Sequence, residues 1–331
     1  MKIVSGALMV ARIISGSPRN VLDDEIRFSL TVNEDGAMEV LVGFDTIPAP
    51  RRFRFATGTA DIEIISLDEY FLNFSLISSE RSPVYDILIS EEDSRRSFIY
   101  GYGEISGSIG AMYGSDFANE VGSIMILPDW SCPIENLRSF DMIVRPVQPE
   151  RYCLDNQIIF VNATMQTLPG PEQCMTIHVG VSLEPSSSLG EIFNVRNDTT
   201  PMFIGQYQIQ TESEFDTIPT EIFSLIQTAI RSATGFSQLG DIINMIECES
   251  YIDELPSIRY TLLDGSVGGQ GIVYVVLSPR DYTEISQEGV CKLRLRRSNQ
   301  FVADRLGVNF LERVAVYIDY AEQRFAFCEP M

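Results

Sequence analysis

The pentapeptide Phe-Asp-Thr-Ile-Pro occurs twice, at 44–48 and at 215–219, and so sets two carboxylates, Asp45 and Asp216, in the same local context. Two carboxylates that share one proton can divide a hydrolysis between them: one acts as base toward a water, and the other, protonated, supports a carbonyl oxygen. The chain offers few other plans. Its single histidine, His178, lies in MTIHVGV, a strand-like run that reads as structural, and any Ser/His or Cys/His nucleophile pair would have to pass through it. The cysteines lack the close pairing of a zinc site, and the acidic run at 91–93 reads as a solvated turn. Phosphate-binding glycine motifs are absent, so neither a metal nor a cofactor is expected.

Side chains of this kind do chemistry only where strands and turns hold them. Short runs of alternating or β-branched residues bounded by Gly, Pro, Asn and Asp predict a mostly β protein, as in IRFSLTV (26–32), MEVLVGF (38–44), QIIFVNATM (157–165) and GIVYVVL (271–277). One segment departs from this pattern. After Pro219, residues Ile222, Phe223, Ile226, Ala229 and Ile230 recur at helical spacing and predict an amphipathic helix, with the proline suited to its first turn. With 331 residues and 45% hydrophobic content, the chain can bury a large core, and its length suggests about two domains. The turn-rich stretch from Leu168 to Asn197 marks the passage between them, which gives expected units of 1–165 and 166–331.

The charge balance narrows the partners. Lys and Arg total 24 against 46 Asp and Glu, for a formal charge of −22. Nucleic acid and anionic membrane surfaces would be repelled, whereas a basic protein or peptide would be attracted. No stretch approaches the roughly 20 apolar residues of a membrane helix.

From Leu255 to Phe327 the chain reads LPSIRYTLLDG, YVVLSPRDY, RLGVNFLERVAVYIDY and QRFAF. This stretch resembles the end of a pepsin-like aspartic peptidase, whose strands close the second lobe. The resemblance implies an all-β, bilobal pepsin-like fold with a few short helices. In that family each lobe supplies an apolar strand followed by Asp-Thr/Ser-Gly, and later a hydrophobic-hydrophobic-Gly that packs behind that loop. The segment YGYGEISGSIG at 100–110 resembles the flap hairpin, with Tyr100 as the flap tyrosine and Gly101 and Gly103 at a tip that approaches a bound peptide. The segment 209–230 lies on the family's second catalytic strand, loop and helix, which puts Gln210 at the aspartate position, Thr211 at the threonine and Glu212 at the glycine. Asp216, three residues before the helix proline, leaves no room for the loop. In the first lobe Asp45 is favoured at the aspartate position, with Ile47 at the glycine, and a shift by two residues would place Gly43 there instead. Arg145 and Gly307 then take the packing-glycine positions at nearly equal separations from Asp45 and Gln210. Cys248 and Cys291 match the family's second-lobe disulfide. Cys132, Cys153, Cys174 and Cys328 read as core positions.

What the resemblance implies is a peptidase fold without its chemistry, since Gln210 cannot exchange protons and no catalytic residue is expected. The expected role is binding of a protein or peptide, or a structural part in an assembly. The alternatives are a divergent active endopeptidase using Asp45 and Asp216, and a secreted inhibitor or peptide-binding module of the same fold. MKIVSGALMVARII fits the family's N-terminal strand at least as well as a signal peptide, and the roughly twenty residues before DDEIRFSLTV are too few for a signal and a pro-segment together, which favours an intracellular assembly over secretion. Sequons at Asn73, Asn162 and Asn197 do not decide the compartment.

Overall fold

Side chains alternate along Ile26–Val32, so that Phe28 and Leu30 are buried while Ser29 is exposed, the pattern of a half-buried strand. The computed structural model of the chain describes residues 26–44, 47–60, 62–66, 74–77, 84–85, 96–100, 106–129, 138–144, 148–167, 173–184, 202–234, 244–246, 248–263, 271–285, 290–298 and 304–331. Residues 1–25, the acidic run at 91–93, Asn73, Asn197 and Cys132 lie outside them.

Among the described residues, a large sheet of 13 strands and a second sheet of six dominate. In the large sheet Ile26–Val32, Met38–Phe44 and Ile47–Ala56 are successive antiparallel neighbours, and Ile26–Val32 also pairs with Ser139–Val144. That strand leads through Ser123–Pro128 to Ala315–Asp319 and Arg324–Cys328. The second sheet runs in the order Gly271–Leu277, Ser257–Leu263, Gln173–Glu184, Phe203–Ile209 and Asp304–Leu306, with Thr164–Thr167 beside Gln173–Glu184. Its central strand, Gln173–Glu184, has strands on both edges and is buried along nearly its whole length.

Two details correct the sequence reading. The run QIIFVNATM divides at Ala163: Ile159–Asn162 pairs with Arg324–Cys328 in the large sheet, whereas Thr164–Thr167 belongs to the second. The segment from 255 to 327 does not close one lobe as a unit. Its first strands build the second sheet, but Ala315–Asp319 pairs with Ser123–Pro128 from the first half of the chain, burying Val316 and Ile318 against Ile124 and Ile126.

The helix expected after Pro219 is Thr220–Thr234, with Ile222, Phe223, Ile226, Ala229 and Ile230 buried on one face. The Pro219 carbonyl accepts the first helical hydrogen bond, from Phe223 N at 2.9 Å. On the exposed side the hydroxyls of Ser224 and Thr228 donate to the carbonyls four residues earlier, at 2.7 and 2.8 Å.

Two disulfides are present among the described residues. Cys248 and Cys291 are joined, with Cα atoms 6.1 Å apart, and so are Cys153 and Cys328, with Cα atoms 5.5 Å apart. Cys153 and Cys328 are buried, as core positions would be, and the second bond links them, while Cys174 is a buried free thiol. Among the described residues no helix is long and apolar enough to cross a membrane, and no group of three His, Cys, Asp or Glu side chains converges to hold a metal ion.

Candidate functional site

Strand Ile47–Ala56 ends in Phe-Ala-Thr-Gly, and strand Phe203–Ile209 runs into Gln-Thr-Glu. The two loops that follow meet through their threonines. Thr57 N donates to Thr211 Oγ1 at 3.1 Å, and Thr211 N donates to Thr57 Oγ1 at 3.1 Å. Each hydroxyl then gives its proton to the strand opposite, Thr57 to the Ile209 carbonyl at 2.8 Å and Thr211 to the Phe55 carbonyl at 2.5 Å. Both threonines are buried, and these reciprocal bonds satisfy the N–H and hydroxyl groups that burial removed from water. The pattern is two-fold, and Ala56 stands before Thr57 as Gln210 stands before Thr211.

The strands behind the loops repeat the symmetry. Ile47–Ala56 runs parallel to Ser106–Gly110, with Ala56 opposite Gly110, and Phe203–Ile209 runs parallel to Asp304–Leu306, with Ile209 opposite Leu306. Gln210 N donates to the Leu306 carbonyl at 2.9 Å. At Gly307 an added Cβ would lie 2.5 Å from the Ser213 carbonyl oxygen and 2.6 Å from that of Phe215, so only glycine packs behind this loop.

Gln210 and Glu212 flank the second threonine in the chain. The buried Gln210 side chain donates to Gln208 Oε1 at 3.0 Å. Glu212 reaches across to the other loop, where Oε2 accepts from Gly58 N at 3.3 Å. A Cβ on Gly58 would fall 1.9 Å from Glu212 Oε1 and 2.8 Å from Gln210 Nε2, so the glycine makes room for these two side chains. Burial raises the Glu212 carboxyl above its ordinary value, against the backbone N–H groups of Glu212, Gly58 and Thr57 and the charge of Arg305, which lower it.

The other candidates lie elsewhere. Asp45 is outside the described residues, and its neighbours Phe44 and Ile47 face one another across the ladder between Met38–Phe44 and Ile47–Ala56. The strand that leads into the threonine pair is therefore Ile47–Ala56, and the residue matching Gln210 is Ala56, not Asp45. Gly43 pairs with Ser75 within a strand, Ile47 opens the next one, and Gly110 lies beside Ala56; Arg145 is outside the described residues. Asp216 is fully buried and accepts from Gly307 N and Asn309 Nδ2, each at 2.7 Å, facing the interior. His178 is a strand residue, 3.3 Å from Gln206 Nε2 and 3.5 Å from Thr164 Oγ1.

Tyr100 ends strand Arg96–Tyr100, while Gly101 and Gly103 lie outside the described residues. The strands on either side of 101–105 are not partners as a hairpin would require. Ile62–Ser66 lies between them, parallel to Arg96–Tyr100 and antiparallel to Ser106–Gly110.

No family model and no curated protein matches the chain. Among solved structures it is similar to the aspartic proteinase from Irpex lacteus, with a TM-score of 0.58 at 12% sequence identity, covering 93% of this chain and 97% of that one. The fold is pepsin-like. In this pepsin-like fold the two halves meet at the threonine pair, and the centre holds an alanine, a glutamine and a glutamate. Ala56 was the residue that sequence reasoning missed. Its signal was the apolar strand followed by Ala-Thr-Gly, one substitution away from the motif sought.

Proposed function

We propose that the chain is a catalytically inactive pepsin-like protein that binds other proteins or peptides, or serves as a structural part of an assembly. The observation that carries this reading is the pair Ala56 and Gln210 in front of the linked threonines. Neither side chain can exchange a proton, whereas acid proteolysis needs two carboxylates sharing one. Glu212 supplies a lone carboxyl, and its side chain lies over the Gly58 backbone where an open loop would admit a substrate. Losing one positioned acid–base group costs roughly 10²- to 10⁴-fold in rate, and here both positions are neutral.

The formal charge of −22 supports a basic partner. An open cavity of about 580 Å³ beside the 33–36 turn presents Glu34 and Glu39 together with Arg52, whereas Glu214 and Glu284 in its lining are already paired with Arg138 and Lys292. The two disulfides fit an oxidising compartment, so we place the protein on the secretory route in preference to an intracellular assembly.

The test is hydrolysis of denatured protein substrates from about pH 2 to about pH 7, the range in which a carboxylate pair works. No turnover is expected. Turnover that Asp45→Ala, Glu212→Gln or Asp216→Asn abolishes would overturn the reading and favour a divergent active peptidase.

A further inference from the structure

Asp216 is a buried carboxyl that the threonine centre does not use, and it ties together three elements. Its Oδ1 accepts from Gly307 N at 2.7 Å, and its Oδ2 accepts from Asn309 Nδ2 at 2.7 Å and from Tyr260 Oη at 3.4 Å. Gly307 and Asn309 lie at the start of the short helix Val308–Leu311, and Tyr260 lies in strand Ser257–Leu263. The same helix start is joined to the loop by Val308 N, which donates to the Ser213 carbonyl at 2.8 Å. Asp216 thus fastens the loop that carries Gln210 and Glu212 to the segment behind it.

Among the described residues no ion pair joins this carboxyl to a cation. Arg294 is the nearby basic group, but Glu312 grips it with two bonds of 2.8 and 2.9 Å, and Glu214 lies 3.8 Å from its Nε. From strand Asp304–Leu306 the Asp304 carboxylate accepts from Thr217 Oγ1 at 3.1 Å and adds negative charge to the region. Burial keeps the phenols of Tyr207 and Tyr260 protonated. Among the buried atoms here without a hydrogen-bond partner are Tyr207 Oη, Arg294 Nε and Asn309 Oδ1.

The unpaired Asn309 oxygen points to a second state. An ionised Asp216 can only accept, and it faces the Asn309 amide N–H. Once protonated, Oδ2 becomes a donor and meets another donor. The conflict is relieved when the Asn309 amide turns over, so that its unpaired oxygen accepts the new proton. We propose that Asp216 and Asn309 form a proton-operated clasp, which holds the 210–216 loop on helix Val308–Leu311 by accepted hydrogen bonds when ionised and exchanges those partners when protonated.

The exchange falls near neutrality. Burial outweighs the N–H donors of Gly307 and Asn309 and lifts the carboxyl from 3.8 to about 7. Because the folded value lies above the unfolded one, the group's contribution to stability is complete below about pH 4 and is lost as the pH rises through its folded value. The unfolding constant of the wild type, relative to that of Asp216→Asn, should therefore rise by up to roughly tenfold per pH unit across this window.

The deciding experiment is an NMR titration of the full chain, following the Gly307 backbone amide and the Asn309 side-chain amide from about pH 5 to about pH 9, on either side of neutrality. Both resonances should titrate together with one midpoint near neutral pH. In Asn309→Ala the carboxylate loses a donor, so the Gly307 midpoint should move to higher pH, and in Asp216→Asn the titration should vanish. If Asp216→Asn does not fold, the wild type and Asn309→Ala decide alone. Two amides that do not move together, or a midpoint that stays or falls in Asn309→Ala, would overturn the proposal. Neither result depends on whether the threonine centre binds a partner.

Discussion

Thr57 and Thr211 hold the centre through four bonds in which each hydroxyl both donates and accepts. Thr211→Val keeps the shape but strands the Thr57 N–H and the Phe55 carbonyl in a buried site, at a cost of about 1–3 kcal/mol each. Urea unfolding of Thr57→Val, Thr211→Val and the double variant should show losses that add to within about 0.5 kcal/mol, because each valine breaks a different two of the four bonds and the hydroxyls approach one another only to 3.5 Å. A coupling of several kcal/mol between the two changes would contradict this division of the bonds. At the centre itself, Ala56→Asp with Gln210→Asp should not restore hydrolysis, because Glu212 still lies across Gly58; adding Glu212→Gly is the smallest change expected to give measurable turnover. Activity in the double variant would show that Glu212 is no obstacle. Gln210, Thr211 and Glu212 were legible because the helix proline set their register. Ala56 was not, because the residue that would have marked its loop is the one replaced, and the repeated FDTIP drew attention to Asp45 and Asp216 instead. What survives in the sequence is what the fold still needs: the threonine for its bonds and the glycine for its space.

The helix Thr220–Thr234 was readable from periodicity because its buried face is purely apolar apart from Gln227. Phe223 is fully buried there, so Phe223→Ala should cost about 3–5 kcal/mol, whereas a change at the exposed Thr228 should move the urea midpoint little. Equal effects at the two sites would contradict the packing described. Strands 26–32, 38–44 and 271–277 were legible from their alternation and turn signals. Their neighbours were not. Pairing across large sequence separations leaves no local mark, which is why the pattern points to Met38–Phe44 as the strand before the first threonine although Ile47–Ala56 leads into it, and why a glycine-rich connection resembles a hairpin although Ile62–Ser66 separates its flanking strands.

Across the whole molecule, the halves are joined by more than the threonines. Arg138 from the first half reaches Glu312 at 3.1 Å and Glu214 at 3.5 Å in the second, and Cys153 is bonded to Cys328. This disulfide spans 175 residues, and removing a bond of this kind typically costs about 2–5 kcal/mol. Cys153→Ser with Cys328→Ser should lower the urea midpoint accordingly, and alkylation of the unreduced, denatured wild type should leave Cys153, Cys248, Cys291 and Cys328 unlabelled. Labelling at any of the four would refute that bond.

The place of Ala315–Asp319 inside the large sheet bears on how the protein is made. A ribosome delivers Ser123–Pro128 long before the strand that lies against it. Until that partner arrives, the first half presents an open row of apolar β-edge, the kind of surface that recruits strands from other chains. Biogenesis therefore includes a waiting period, and a chaperone that covers this edge on the nascent chain would raise the yield of folded protein without touching any residue of the threonine centre.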